Sequence, residues 1–381
     1  MSYCTQLKQL VFSRLVIGVV LSLSLSACGL PRTGPYYEEL TDQTAPADFG
    51  FHVMPLTPEI ARVTRFDEKS GFSVGFINRP AEAVYTLARG DVLAITVWEN
   101  IDEGLLNPAG IGATPLPNTR VDERGQIFVP YVGPVRASGL TIGQLRQRIQ
   151  SALAQKTLNP QVNIYRAEAL GRQVSVQGVV NAPGLYPIEP PTTHILPMMA
   201  RAGGVSIDPE VVRLKLRRGQ VQGEIWLQDL YDEPRNDVHL KSGDAIIAER
   251  DRRIFTALGA VSSSSTVQFP TREVSVIRAL GTVGGLSDNT ADPTGVFLFR
   301  EEPEEIAKRL LPGQEITGPQ RIAYIIDLTQ PAGLFLAREF MMRDSDTIYV
   351  TTAPFVRWLK ILQAISPLVN FAGSTRSLGG F

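Results

Sequence analysis

"GVVNAPGLYPIEPPTTHILPMMARAGGV", residues 178–205, aligns without a gap onto "GAVSSSSTVQFPTREVSVIRALGTVGGL", residues 259–286, at a shift of 81 residues. Gly178 falls on Gly259, Gly203 and Gly204 on Gly284 and Gly285, and Val205 on Leu286. Further on, "LKSGDAIIA" (Leu240–Ala248) matches "MRDSDTIYV" (Met342–Val350). Upstream, "LARGDVLAITV" (Leu87–Val97) carries the same Asp-x-apolar-x-apolar pattern a third time. Each long copy reads as strand, hairpin, short helix and then strands.

The details of each copy support that reading. In the first, Thr192 or Thr193 is placed to cap a helix. Pro197 falls in its first turn, where a missing N–H costs little. The double glycine behind it suits a helix stop that needs positive φ. "GDAII" and "SDTIYV" alternate apolar residues as half-buried strands do. Two α+β modules follow, at residues 169–251 and 252–351. The second carries an extra charged stretch, "REEPEEIAKRLLPGQ" from Arg300, which reads as a solvated insertion.

A different module precedes them, over residues 84–168. "GDVLAITVWE" is a strand, and "VDERGQIFVPYVGPV" is a hairpin-like pair around Asp122–Gly125. "TIGQLRQRIQSAL" is a helix with Thr141 and Gln144 at capping-box spacing. Its Ile142, Leu145, Ile149 and Leu153 share one face. "NPQVNIY" from Asn159 closes the module with an alternating strand.

The chain has 381 residues, 44% hydrophobic and 20% charged, with 33 Gly and 27 Pro. That describes a turn-rich globular protein, whose length predicts about two to three domains. A formal net charge of −1 argues against a nucleic-acid partner, which calls for a basic stripe. At the start, Lys8 and Arg14 precede the apolar run "LVIGVVLSLSLSAC", the pattern of a secretory signal over residues 1–27. "LSAC" at its end resembles a bacterial lipobox, which makes Cys28 the lipid-attachment residue. A chance cysteine behind an ordinary signal is the plain alternative. Cys4 is the only other cysteine and lies in the discarded segment, so the mature chain cannot form an internal disulfide. Gly29, where Asp would favour retention in the inner membrane, points by the same resemblance to the outer membrane. Residues 28–47 then read as an extended, lipidated tether without apolar period.

At the other end, "TAPFVRWLKILQAISPLVNF" (Thr352–Phe371) is amphipathic at the helical period. Phe355, Trp358, Leu359, Ile361, Leu362, Ile365, Leu368 and Val369 fall on one side. Arg357, Lys360, Gln363 and Asn370 fall on the other. A helix of about 17 residues is roughly 25 Å long, close to a bilayer's hydrocarbon thickness. It is too polar to span alone. Pro367 should kink or end it.

No catalytic set emerges. His52, His194 and His239 are far apart in sequence, with no companions at metal-ligand spacing. The chain has no Walker A run, no G-x-S-x-G elbow and no G-x-G-x-x-G opening a helix. "RGD" at Arg89–Asp91 begins a strand motif used three times, so its use reads as structural. Asp91, Asp244 and Asp346 stand at equivalent turns of separate modules instead of converging. The residues therefore indicate no enzyme, no cofactor and no metal.

"ARGDVLAITVWE", "VDERGQIFVPYVGPV" and the helix with "NPQVNI" resemble the polysaccharide export domain. The two repeats resemble soluble-ligand-binding β-grasp modules. "FHVMPLTPEIAR" (Phe51–Arg62), "NTADPTGVFLFR" (Asn289–Arg300) and "DTIYVTTAPFVRW" (Asp346–Trp358) resemble segments of the Wza-type outer-membrane capsular polysaccharide translocon. The resemblance runs in order through the whole mature chain. It implies a lipid-anchored, mostly periplasmic outer-membrane ring, an octamer, whose C-terminal helices (residues 352–381) form a transmembrane α-helical barrel for capsular or exopolysaccharide. An inner-membrane polysaccharide co-polymerase of the tyrosine autokinase type is the implied partner. Residues 48–83 are implied to pack on the later β-grasp modules. In such a barrel the apolar set from Phe355 to Val369 would meet lipid, with Trp358 at the interface. Arg357, Lys360, Gln363 and Asn370 would line water. Tyr131, in "VPYVG", would be a lumen residue able to stack on sugar. The competing class is a monomeric, periplasm-facing glycan-binding lipoprotein.

Overall fold

The computed structural model describes residues 34–41, 50–65, 71–77, 83–99, 104–106 and 112–356. The described residues form two compact units, one within residues 68–251 and the other within 34–67 and 252–356.

The 68–251 unit opens with the export-type module. Its central strand, Val92–Glu99, buries every second residue: Leu93, Ile95, Val97 and Glu99. It pairs antiparallel with Gln161–Glu168 on one side and with Gly112–Pro115 and Thr119–Arg120 on the other. The Ile142–Leu153 helix starts at a complete Thr141/Gln144 capping box and buries Leu145, Ile149 and Leu153. Full burial of each such side chain is worth about 1.5–3 kcal/mol. Gln126–Val129 and Gly133–Arg136 form a hairpin. Its reversal is at Pro130–Val132, not at Asp122–Gly125. The Asp122 carboxylate accepts from Gln126 N–H at 2.7 Å, so that earlier turn leads into the hairpin without making it.

The first β-grasp module follows in the same unit. Its five strands lie in the order Val221–Trp226, Val212–Arg218, Ala245–Arg250, Gln173–Gly178, Gly184–Pro187. The Ile195–Arg201 helix buries Ile195, Met198 and Met199. Neither Thr192 nor Thr193 is its N-cap. Thr192 ends a short 3₁₀ turn, His194 holds the cap position without a side-chain bond, and Asp237 accepts from Leu196 N–H instead. A carboxylate brought from 41 residues away does what a local threonine was expected to do.

The second unit repeats that sheet order with Gln320–Ile326, Ala291–Glu302, Asp346–Thr352, Ile254–Gly259 and Ser265–Gln268. A sixth strand, Phe51–Pro55, pairs in parallel with Gln320–Ile326 and covers an edge that would otherwise invite strand addition. The repeat extends to single hydrogen bonds. Asn181 N–H donates to Gly204 O and Ser262 N–H to Gly285 O, both at 3.0 Å. Ser206 N–H donates to Val179 O and Ser287 N–H to Ala260 O, again both at 3.0 Å.

Residues 34–41 are not an extended lead-in: Tyr37–Thr41 is a short helix, the Tyr37 ring packs 5.8 Å from Phe297, and Tyr349 donates to Pro35 O at 2.9 Å. Two aromatic contacts hold what lacks an apolar period. Nor is the stretch from Arg300 a solvated insertion. Arg300 and Glu302 are buried, as are Ile306 and Ala307 of the Glu304–Leu310 helix.

Candidate functional site

The charged residues most visible in the sequence form one recurring lock. In each module an Asp begins a core strand, and its carboxylate accepts from the N–H three residues back. Ala88 bonds Asp91 at 2.9 Å, Lys241 bonds Asp244 at 2.8 Å and Arg343 bonds Asp346 at 2.6 Å. An arginine from the neighbouring antiparallel strand then closes on the same carboxylate. Arg218 does so with Nε and Nη2, at 2.8 and 2.6 Å, and also donates to His239 O. Arg300 repeats this at 2.9 and 2.6 Å, donating to Met341 O. In the export module the contact is a single ion pair, Arg166 Nε to Asp91 at 3.3 Å. Gly171 N–H takes the other Asp91 oxygen at 3.0 Å.

In the second β-grasp module the lock grows into a network. Glu302, fully buried, accepts from Tyr324 at 2.7 Å and Arg343 at 2.6 Å. Burial works against the Arg300 charge, yet Asp346 and Glu302 outweigh it and hold the guanidinium above its ordinary value. Burial, with Glu302 beside it, pushes the Tyr324 hydroxyl far up, so it stays a neutral donor. Paired and satisfied this way, these groups are structural, and Asp91, with 1% of its surface exposed, is no recognition tripeptide.

The residue before each Asp has positive φ: +92° at Gly90, +85° at Gly243 and +67° at Ser345. A side chain there costs about 1–2 kcal/mol outside glycine. Ser345→Gly is therefore expected to stabilise the second β-grasp module by about 1 kcal/mol, read as slower hydrogen exchange of Asp346–Val350. Unchanged or faster exchange would contradict it.

Two histidines that are distant in sequence meet. His194 and His239 form a β-bridge with ring centroids 4.0 Å apart. Sequence spacing could not reveal this, because the partners sit on a helix start and a later loop. The second module has Ser275 opposite Met341 at that bridge, so the pair is particular to the first. Thr193 Oγ1 lies 3.0 Å from His194 Nδ1, and His239 Nδ1 is buried without a hydrogen-bond partner. Burial, then the His194 charge, lowers the His239 pKa, while burial raises that of Asp237. An open cleft of about 540 Å³ lies alongside, lined by Leu196, Met199, Leu227, Tyr231 and Asp237.

A histidine whose folded pKa is depressed contributes stability above its unfolded value of about 6.5, and loses it as pH falls through the folded value. Asp237, raised, acts in the opposite sense: the stability it gives below its unfolded value is lost as pH rises through the folded one. His239→Met, which copies the second module, is expected to flatten the loss of thermal stability on acidification below pH 6.5. An unchanged acid slope would show the pair to be uncoupled from folding.

Among the described residues, no group of three or more His, Cys, Asp or Glu is placed to hold a metal ion. No helix among them is long and apolar enough to cross a membrane. Of the residues singled out at the C-terminus, Phe355 is described and is 53% exposed, next to a buried Val356. Arg357, Trp358, Leu359, Lys360, Ile361, Leu362, Gln363, Ile365, Leu368, Val369 and Asn370 lie outside the described residues, as does Cys28. Tyr131 stands at the hairpin tip with φ +63° and 57% exposure, and Phe128 on the same hairpin is exposed too.

In each module the conspicuous aspartate and arginine are thus engaged with one another inside the module. The polysaccharide biosynthesis/export protein family matches residues 79–165, and the SLBB domain matches residues 253–350. The capsule polysaccharide export outer membrane protein CtrA of Neisseria meningitidis serogroup A is 30% identical, over 77% of this chain and 79% of its own. The capsule polysaccharide export protein BexD of Haemophilus influenzae is 29% identical, over 94% of this chain and 97% of its own. The Vi polysaccharide export protein VexA/TviF of Salmonella typhi is 30% identical over 75% and 79%. The chain belongs to the Wza-type polysaccharide export family.

Proposed function

We propose that the chain is a subunit of an outer-membrane conduit through which capsular or exopolysaccharide leaves the cell, working without catalysis. The observation that carries this is similarity over three quarters or more of the chain to proteins named for capsule export at the outer membrane. Structural use of the conspicuous Asp–Arg pairs supports the absence of chemistry. In this reading Cys28 is acylated and anchors the subunit. Copies assemble as an octameric ring, and the helices of residues 352–381 form the barrel. Arg357, Lys360, Gln363 and Asn370 face its water. Phe355, Trp358, Leu359, Ile361, Leu362, Ile365, Leu368 and Val369 face lipid. An inner-membrane co-polymerase of the tyrosine autokinase type docks from the periplasm. Tyr131 contacts the passing chain; its positive φ and exposure support a role other than packing. Unchanged export in a Tyr131→Ala strain would remove that residue from the scheme.

Single-particle imaging of the full-length protein extracted from outer membranes tests the assembly. A closed ring with one helix per subunit converging into a barrel is expected. A monomer at all concentrations would replace the conduit with the glycan-binding lipoprotein. Truncation after Thr352 is expected to abolish export completely, with any glycan affinity retained.

A further inference from the structure

Among the described residues, the export-type module keeps one face of its sheet exposed. The Val92–Glu99 strand alternates, so Leu93, Ile95 and Val97 enter the core while Ala94, Thr96 and Trp98 point the other way. Gln161–Glu168 runs beside it with Val162 and Ile164 inward and Gln161, Asn163 and Tyr165 outward. The register sets Trp98 opposite Gln161, Thr96 opposite Asn163 and Ala94 opposite Tyr165. Trp98 is 39% exposed and Tyr165 57%.

Two large aromatic side chains thus stand at the ends of a floor of small and polar residues. Four residues of strand separate their positions, about 13 Å along the sheet, with one inter-strand step of about 4.8 Å across it. Between them, Thr96 offers a hydroxyl, and Asn163 and Gln161 offer amides that both donate and accept. This outward row carries no charged side chain between Trp98 and Tyr165.

We infer that this face is a platform for a polysaccharide chain lying along the strands, with Trp98 and Tyr165 each under one sugar ring. The chemistry fits one occupant. The C–H side of a pyranose carries slight positive charge and suits the negative face of an aromatic ring, and its hydroxyls need partners that both give and accept hydrogen bonds. The floor is short of the branched apolar residues that make the dry centre of a protein interface. An extended chain also matches a flat, linear track where a compact ligand would want a pocket. The inference rests on the export reading for the identity of its ligand.

The test uses the full-length lipidated protein in mild detergent and oligosaccharides cut from the surface polysaccharide of the strain that encodes it. Binding is read by calorimetry and by the part of the tryptophan emission that Trp98→Phe removes, since Trp226 and Trp358 emit as well. Wild-type protein is expected to bind, with a changed Trp98 emission. Trp98→Ala and Tyr165→Ala are each expected to weaken binding roughly tenfold. Trp98→Phe should retain most of the affinity, and Thr96→Arg, which fills the floor and leaves both aromatics in place, should abolish it. Binding that all these variants share equally overturns the platform. So does a wild-type protein that binds nothing, including one in which assembly shields Trp98 from acrylamide, which would make this face a contact between copies. Export is scored separately, by complementing a deletion strain with the wild-type gene. Failure there defeats the conduit and leaves the binding result standing, whereas restored export with indifferent binding defeats the platform alone.

Discussion

Arg300→Met destabilises the second β-grasp module by about 3–5 kcal/mol, the penalty for breaking a buried pair and stranding its carboxylate. Arg300 and Asp346 keep 3% and 1% of their side-chain surface exposed, so water cannot replace the lost guanidinium. Glu302 retains Tyr324 and Arg343, whereas Asp346 keeps the Arg343 N–H and loses the guanidinium that it held by two bonds. Adding Asp346→Asn to Arg300→Met should therefore recover part of the loss by removing the unpaired charge. The three locks should also rank. Arg218 and Asp244 are 11% and 1% exposed with two short bonds, and Arg166 and Asp91 are 15% and 2% exposed with one contact at 3.3 Å. The expected order of damage is Arg300, then Arg218, then Arg166. Hydrogen exchange in Ile348–Val350, Ile246–Ala248 and Leu93–Ile95 reads each module separately, which a single unfolding midpoint of a multi-module chain does not. Equal losses at the three arginines would contradict the burial argument.

Gly259→Ala and Gly178→Ala are expected to cost at least about 3 kcal/mol each, more than a left-handed backbone alone would. Gly259 has φ +85°, and a Cβ there would sit 2.1 Å from Val350 O. At Gly178, with φ +93°, the corresponding distance to Ala248 O is 1.9 Å. Both contacts are with main chain of the adjoining parallel strand, so no rotamer relieves them. The backbone must move, and the bond from Ala260 N–H to Val350 O at 2.8 Å, or from Val179 N–H to Ala248 O at 2.9 Å, moves with it. Gly285→Ala is the control. Its φ is +81°, but nothing lies within 4 Å of the added Cβ, so only the conformational cost of about 1–2 kcal/mol remains. Equilibrium unfolding of the three variants separates these effects. A Gly259→Ala loss no larger than that of Gly285→Ala would show that close approach is unimportant.

Much of the architecture could be read locally. The gapless 81-residue shift carries the same positive-φ glycines and the same bridges, Val180 to Val205 and Val261 to Leu286. The capping box at Thr141 was legible because all its atoms lie within one helical turn. The candidate site was less legible. Trp98 and Tyr165 sit in recognisable alternating strands, but which residues lie opposite depends on a register between segments about 70 residues apart, and local alternation does not state a register. The open face becomes visible only when Trp98 meets Gln161 and Ala94 meets Tyr165.

By itself, then, the sequence determined the repeat, the periods of its strands and helices, the three aspartate turns and the family, because each of these is written in residues near one another or in their order. Only the tertiary structure decided which arginine closes on which aspartate, that Asp237 and not a threonine caps the Ile195–Arg201 helix, that His194 packs against His239, and that Tyr37 is pinned to Phe297. Those pairings join residues tens to hundreds of positions apart. Nothing in local spacing selects one partner over another of the same type. Selection comes from the close packing of the sheets, which brings a particular set of donors and acceptors within hydrogen-bond reach of each buried charge.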